Sequence, residues 1–255
     1  MEADEVDWLF SEYVPPVLQQ LEDSLKDCVT IFDRAVSYKR SGELKPFVLK
    51  SKDVEGLTGV IVLHGDKITK ATIKLSRARS GRQETKHELS SKTPWHLSQI
   101  LDASSNVKAA LGILETRRKH LQTINDVIQL VELLAGYLCQ AHKCMTVPSA
   151  KLKSIYHMKS EINFRPPLPN DVLVNFFISA NKLVMSFYML QASSSSSGKS
   201  SDGKTKTIEI RSQLMEVLHH YEVDSLVPWL DEVLDIVPMT LASCQQLLQK
   251  ISLTS

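Results

Sequence analysis

The chain of 255 residues carries 30 Lys+Arg against 29 Asp+Glu, a formal charge of +1, so bulk electrostatics supply no pull toward nucleic acid or an anionic membrane. With 43% hydrophobic and 23% charged residues its usage is that of a globular protein, which excludes disorder for most of its length, and only nine glycines tilt it toward helix. Every apolar stretch is broken well before the roughly 18 residues of a bilayer span, and acidic Glu2, Asp4, Glu5 and Asp7 stand where a secretory signal would be basic, so the expectation is a soluble chain not exported by that route.

An apolar spacing of alternating three and four residues predicts a helix through Val14, Leu18, Leu21, Leu25, Cys28 and Phe32, ending before Ser41-Gly42. Pro15 and Pro16 suit a first turn and not a helix interior, so residues 3–13 are expected as a separate or kinked short helix, with Trp8 and Phe10 packing independently. The period then falls to two. Leu57 to Leu63 and Ile68 to Leu75 flank His64-Gly65-Asp66-Lys67, and Ala71, Ile73 and Leu75 alternate with Lys70, Thr72 and Lys74, which predicts a half-buried hairpin. Phe47 to Lys50 and Gln83 to Leu89 are its expected neighbours.

Pro94 leads a helix carrying Leu97, Ile100, Leu101, Val107, Leu111 and Leu114, which stops at the basic run Arg117-Arg118-Lys119. The next helix begins near Thr123, whose hydroxyl can cap with Asp126 three residues on; it carries Ile124, Val127, Val131, Leu134, Leu138 and Ala141, and ends before Pro148. Residues 145–163 read as irregular. After Pro166-Pro167-Leu168-Pro169, Asn170 and Asp171 are expected to open a helix with Leu173, Phe176, Ala180, Leu183, Phe187 and Leu190. Residues 192–206, rich in serine, read as a disordered loop open to phosphorylation. Met215, Val217, His219, Tyr221 and Val223 alternate, as a strand returning to the same sheet would. A last helix starts after Asp224-Ser225 with Pro228 in its first turn and carries Leu230, Leu234, Val237, Leu241, Cys244, Leu248 and Ile251, bent locally at Pro238.

These elements predict an α+β fold: an elongated antiparallel helical bundle from 3–41, 94–191 and 224–255, plus a small antiparallel β lobe from 44–92 and 207–223. The bundle core is expected at Leu18, Leu21, Leu25, Phe32, Leu111, Leu114, Val131, Leu134, Leu138, Leu173, Phe176, Leu183, Phe187, Leu190, Leu230, Leu234, Leu241 and Leu248. A DNA-binding zipper does not fit, because the segment entering the first stripe is acidic and interrupted by two prolines, whereas a basic zipper needs a Lys/Arg-rich helix running into its heptads. The stripes are expected to satisfy one another within one chain, as a monomer.

Chemistry-bearing motifs are sparse. Gly198-Lys199-Ser200 lacks the upstream glycine and strand of a phosphate-binding loop. Cys139 and His142 share a helix face, but Cys144 points elsewhere and a fourth ligand is missing, so no metal site is expected. His219 and His220, adjacent on a strand, point to opposite faces. The four cysteines suit a reducing compartment, cytosol or nucleus. No catalytic or cofactor-binding set is assigned. Charge, however, is uneven. Residues 66–92 hold eight Lys and Arg against three acidic side chains, a local balance of +5; residues 2–27 hold eight acidic ones against Lys26; and residues 212–249 hold six acidic and no Lys or Arg. Lys67, Lys70, Lys74, Arg77, Arg79 and Arg82 are the candidate partner surface, for an acidic partner or membrane surface; without stacking aromatics the stretch does not suit single-stranded nucleic acid.

Leu168-Pro169-Asn170-Asp171-Val172-Leu173-Val174-Asn175, running on to Asn181-Lys182-Leu183 and Tyr188-Met189-Leu190, resembles the hallmark helix of the Rogdi family. Val227-Pro228-Trp229-Leu230 with Cys244-Gln245-Gln246-Leu247 and Lys250-Ile251-Ser252 resembles its last helix, and Gly59-Val60, Gly65-Asp66, Trp95 to Leu97, Gln99-Ile100 and Asp102-Ala103 agree. The resemblance implies a two-lobed, non-catalytic protein related to the small subunit of the RAVE complex. Such a protein works with a large WD-repeat rabconnectin-like scaffold and V-ATPase catalytic-sector subunits to promote V-ATPase assembly and organelle acidification. It also implies a cytoplasmic protein peripheral to endosomal, lysosomal or synaptic-vesicle membranes, with nucleus or nuclear envelope as further sites; a nuclear leucine-zipper-type regulator is the alternative.

Overall fold

Four stretches with apolar residues every three or four positions form helices, and a computed structural model shows which side of each is buried. It describes residues 7–37, 46–50, 57–77, 83–89, 93–147, 164–192, 207–210 and 213–254. Helix α1 spans Val14–Ser37, α2 Ser98–Arg117, α3 Ile124–Thr146 and α4 Pro228–Thr254. A π-type turn at Leu9–Tyr13 runs straight into α1, so Pro15 and Pro16 lie within a continuous helical run and not in a free first turn, and the wider π turn stands immediately ahead of the two residues that have no N–H to give to the ladder. Of the aromatic residues ahead of them, Trp8 is exposed and Phe10 half-buried; Leu9 is the side chain that packs inside.

The chain divides into two compact units, one from Met1–Ser41, Ser98–Val147 and Val227–Ser255, the other from Gly42–Leu97 and Pro148–Leu226. In the first, α1 packs on α2, α2 on α3, α3 on α4 and α4 on α1. Ion pairs Asp33–Lys108, Lys26–Glu115 and Glu22–Arg118 descend α1 as they climb α2, so these two helices run antiparallel. The α1 ridge of Val14, Leu18, Leu21, Leu25, Cys28, Ile31 and Phe32 is buried, as are Val127, Leu130, Val131, Leu134, Leu138 and Ala141 on α3. Thr123 caps α3 reciprocally with Asp126: the Asp126 N–H donates to Thr123 Oγ1 at 3.2 Å, and the Thr123 N–H donates to Asp126 Oδ2 at 2.8 Å.

Two ridges sit one position away from the leucines. On α2 the buried side chains are Ile100, Ala103, Val107, Ala110 and Leu114, while Leu111 is half-buried and Leu101 exposed. On α4 they are Leu230, Val233, Val237, Thr240, Cys244, Leu247 and Ile251, with Leu234, Leu241 and Leu248 half-buried. The register escaped leucine counting because small and polar residues take inner positions: Ala103 and Ala110 admit close helix approach, and the Thr240 hydroxyl is satisfied by donating to the Ile236 carbonyl at 2.8 Å. Pro238 lies inside α4.

The second unit holds two antiparallel sheets. In the first sheet β1 (Phe47–Lys50), β2 (Leu57–His64), β3 (Lys67–Arg77), β4 (Gln83–Leu89) and β6 (Phe164–Arg165) follow one another, with β5 (Trp95–His96) paired to β3. The second is ordered β7 (Val172–Ser179), β8 (Lys182–Ala192), β10 (Gln213–Leu226), β9 (Thr207–Ile210). Gly65, at φ 57°, allows the tight β2–β3 turn. The sheets meet where Gly59 approaches Met185 and where the Trp95 and Phe176 rings lie 5.4 Å apart, edge to face.

The helix expected over residues 170–191 is therefore the β7–β8 hairpin, and Leu173, Phe176, Leu183, Phe187 and Leu190 belong to a sheet instead of a helical core. Phe176 and Phe177 are both fully buried although consecutive strand residues face opposite sides, so this strand is covered on both faces and loses the period-two signal. Likewise β10 pairs with β8 and β9 and not with the first sheet. The expected irregular stretch contributes Met145 and Thr146 to α3, and its residues 148–163, like the serine-rich residues 193–206, lie outside the described residues.

Two stability outcomes follow from this packing. Leu21→Ala should lower unfolding free energy by about 2–5 kcal/mol, and Leu241→Ala distinctly less, in urea denaturation; equal losses would contradict the α4 ridge. Ala180, at φ 56° in the β7–β8 turn, is strained by its Cβ, so Ala180→Gly should raise the denaturation midpoint, by an equivalent of about 0.5–1 kcal/mol.

Candidate functional site

Alternation along β3 turns Ala71, Ile73 and Leu75 inward and Lys70, Thr72 and Lys74 outward. Lys67, three residues before Lys70, would face the other way in a regular strand. A bulge at Thr69, whose hydroxyl donates to the Val62 carbonyl at 3.3 Å, resets the register so that Ile68 faces in and Lys67 out, on the side of Lys70. The same row brings His64, Lys67 and His96 side by side across β2, β3 and β5, with His96 Nδ1 3.4 Å from Asp66 Oδ2.

Of the six candidate partner residues, Lys67, Lys70 and Lys74 thus share one face. Arg77 ends β3 with its side chain outside the described residues, as are Arg79 and Arg82 entirely. Much of the face is internally compensated: Lys74 Nζ lies 3.1 Å from Glu84 Oε1, and Lys86 pairs with Glu88. These pairs are about half exposed and so contribute little to stability. They relieve the repulsion of Lys74 and Lys86, which stand directly opposite across β3 and β4.

The other charged cluster sits on the helical unit, where the sequence marks only a helix terminus. Arg118, in the 3-10 turn Arg118–His120, donates from Nη1 to Gln19 Oε1 and Glu22 Oε2, each at 2.7 Å, and Glu22 also pairs with Lys26. The Lys26 hydrogen bond and then the Arg118 guanidinium hold the Glu22 carboxyl below the ordinary range against its partial burial. Asp126 is likewise held down by the Thr123 hydroxyl and the N–H groups of Gln122 and Thr123.

Of the four cysteines, Cys28 and Cys244 are buried in the helical unit and Cys139 and Cys144 half-buried. Burial pushes the thiols of Cys28 and Cys244 up to about 12, and that of Cys144 upward, so at neutral pH they stay protonated and unreactive. Among the described residues no three His, Cys, Asp or Glu side chains come together as a metal-binding group, Cys139, His142 and Cys144 included. His220 stacks on Tyr188 at 4.2 Å and His219 lies 5.8 Å from Tyr221, with a bulge between Val217 and His219. Gly198, Lys199 and Ser200 lie outside the described residues. Among the described residues no helix is long and apolar enough to cross a membrane.

A sequence profile described as "Rogdi leucine zipper containing protein" matches residues 5–235. This chain belongs to the Rogdi family. A rogdi homolog of Danio rerio is 32% identical over 99% of this chain and 93% of its own length, and one of Homo sapiens is 31% identical over 99% and 92%. The rogdi protein of Drosophila melanogaster is 24% identical over 98% of this chain and 87% of its own. The names of these Rogdi relatives state no enzymatic activity.

Both depressed carboxyls bind their protons more weakly when folded. Their contribution is complete above the unfolded values, 4.5 for Glu22 and 3.8 for Asp126, and is lost as pH falls through the lower folded values. Acid titration of stability should therefore show a loss beginning near pH 4.5 and steepening below it, and the Glu22→Gln/Asp126→Asn variant should show a shallower one; identical profiles would remove these two groups as its source.

Proposed function

We propose that this Rogdi protein is a non-catalytic adaptor, the small subunit of a RAVE-like complex that promotes V-ATPase assembly and organelle acidification. In this reading the helical unit works as an antiparallel bundle. The chain docks a WD-repeat rabconnectin-like scaffold and V-ATPase catalytic-sector subunits, peripheral to endosomal, lysosomal or synaptic-vesicle membranes. The observation that carries it is the fate of the zipper-like stripes: Leu18, Leu21, Leu25, Val131, Leu134, Leu138 and Leu230 are each at most 1% exposed, spent on the chain's own interior. A nuclear zipper-type regulator would need such a ridge free. Cysteines kept as neutral thiols and polar side chains engaged in surface pairs or caps further favour recognition over chemistry.

The docking face proposed is the outer side of β3, with Lys67, Lys70 and Lys74; Arg77, Arg79 and Arg82 join the proposed partner surface on the charge of the sequence alone. Affinity purification from cells should recover the WD-repeat scaffold with V-ATPase catalytic-sector subunits, and their reproducible absence would overturn the assignment. Lys70→Glu with Lys74→Glu should reduce recovery severalfold while thermal stability changes by no more than about 0.5 kcal/mol, as expected for exposed positions. Undiminished recovery would remove this face from consideration.

A further inference from the structure

Beside the β2–β3 turn one buried polar atom goes unsatisfied. His64, half-buried at the end of β2, has its Nε2 shielded from solvent and without a hydrogen-bond partner. An imidazole nitrogen left so is an unused donor or an unused acceptor, and either state is costly in a folded chain. This nitrogen stands in a row of basic side chains. His64 is paired with Lys67 across the turn and Lys67 with His96 on its other side, so the three occupy matched positions on β2, β3 and β5 and share one face of the sheet. Adjacent strands lie about 4.8 Å apart, which brings all three within reach of one small ligand seated over Lys67. His96 Nδ1 is 3.4 Å from Asp66 Oδ2, which leaves Nε2 as its nitrogen for a ligand. Farther along the face Lys74 and Lys86 are matched by Glu84 and Glu88, whereas Lys67 and Lys70 enter no ion pair among the described residues. The uncompensated charge of the face therefore gathers at the turn, where His64 is.

The donor set selects the ligand. A metal ion is opposed by the Lys67 ammonium at the centre of the row, and His64, Asp66 and His96 do not come together as a metal-binding group. A compact anion fits. A carboxylate offers two oxygens and a single charge, whereas a phosphate monoester carries about −1.5 to −2 at neutral pH and offers three acceptor oxygens, one for each member of the row. We propose that His64, Lys67 and His96 form a binding site for a phosphate monoester. In the complex the flexible Lys67 side chain draws its ammonium to the phosphoryl group, the half-buried His64 ring turns its Nε2–H to it, and His96 donates from Nε2. Asp66 is a positioning residue that holds His96 through Nδ1–H, and Lys70 adds charge alongside. The site shares Lys67 with the docking face proposed above and rests on that reading only for a phosphate carried by a partner; a free phosphate compound would meet the same donors.

Inorganic phosphate is the probe. Added to the full chain over about 0.1–20 mM at constant pH, with chloride holding the ionic strength, it should move the His64 and His96 ring-nitrogen resonances saturably. Lys67→Ala should weaken this binding about tenfold, as should His64→Gln read at His96, as expected for the loss of a charge-assisted hydrogen bond. Lys74→Ala, already matched by Glu84, should leave it unchanged. Resonances that stay still, that drift without saturating, or that respond equally in Lys67→Ala would overturn the site. The titration involves no partner, so its failure is separate from failure of the docking face. Phosphatase treatment of the lysate before affinity purification identifies the source: recovery that falls places the phosphate on a partner, and recovery that holds while phosphate still binds saturably places it on a free compound.

Discussion

The helical unit depends on one constraint: the two ends of the described chain must meet. Helix α1 has its ridge covered by α2 on one side and by α4 on the other, and α4 arrives only after the whole β unit has been traversed. The contact is made where Phe32 meets Trp229, ring centroids 6.0 Å apart and edge to face, and where Arg34 Nη2 lies 3.3 Å from Glu232 Oε2. Without α4 the side chains of Leu18, Leu21 and Leu25 would lose part of their cover, and each such apolar group exposed costs roughly 1.5–3 kcal/mol. Contacts this distant in sequence also impose a large loop-closure entropy on folding.

A second constraint lies within the β unit, where the sheets approach at a glycine. A Cβ at Gly59 would stand 3.2 Å from both Sδ and Cε of Met185, a side chain that is itself fully buried. The absence of a side chain there lets the two inner faces close, with Trp95 over Phe176 as the aromatic contact beside it. The outer side of the first sheet is left free to carry Lys67, Lys70 and Lys74, so the inward packing of one face and the charge of the other come from a single alternation.

Most helices and the first sheet were legible in the sequence because each has one apolar and one polar side, which prints a period on the residues: 3.5 in α1 and α3, two in β2 and β3. The β7–β8 hairpin was not legible. Both faces of these strands are buried, their turn is Ala180-Asn181 without the usual glycine, and Asn170-Asp171 after three prolines imitates a helix start. The candidate partner surface was legible as a charge imbalance. That Lys67 joins Lys70 on one face depends on a bulge, and a bulge leaves no mark in composition or period.

The linear order of residues determined where helices start and stop, through Thr123 and Asp126 at a cap and Pro228 in a first turn, and it determined membership in the Rogdi family. Only the tertiary structure decided which of two neighbouring ridges on α2 and α4 turns inward, which sheet β10 joins, and that Arg118 clasps Glu22 across two helices. The reason is range. Caps and periodicity are written by residues within a few positions of one another, whereas burial, sheet partnership and interhelical ion pairs depend on groups tens to hundreds of residues away, whose arrival no local pattern records.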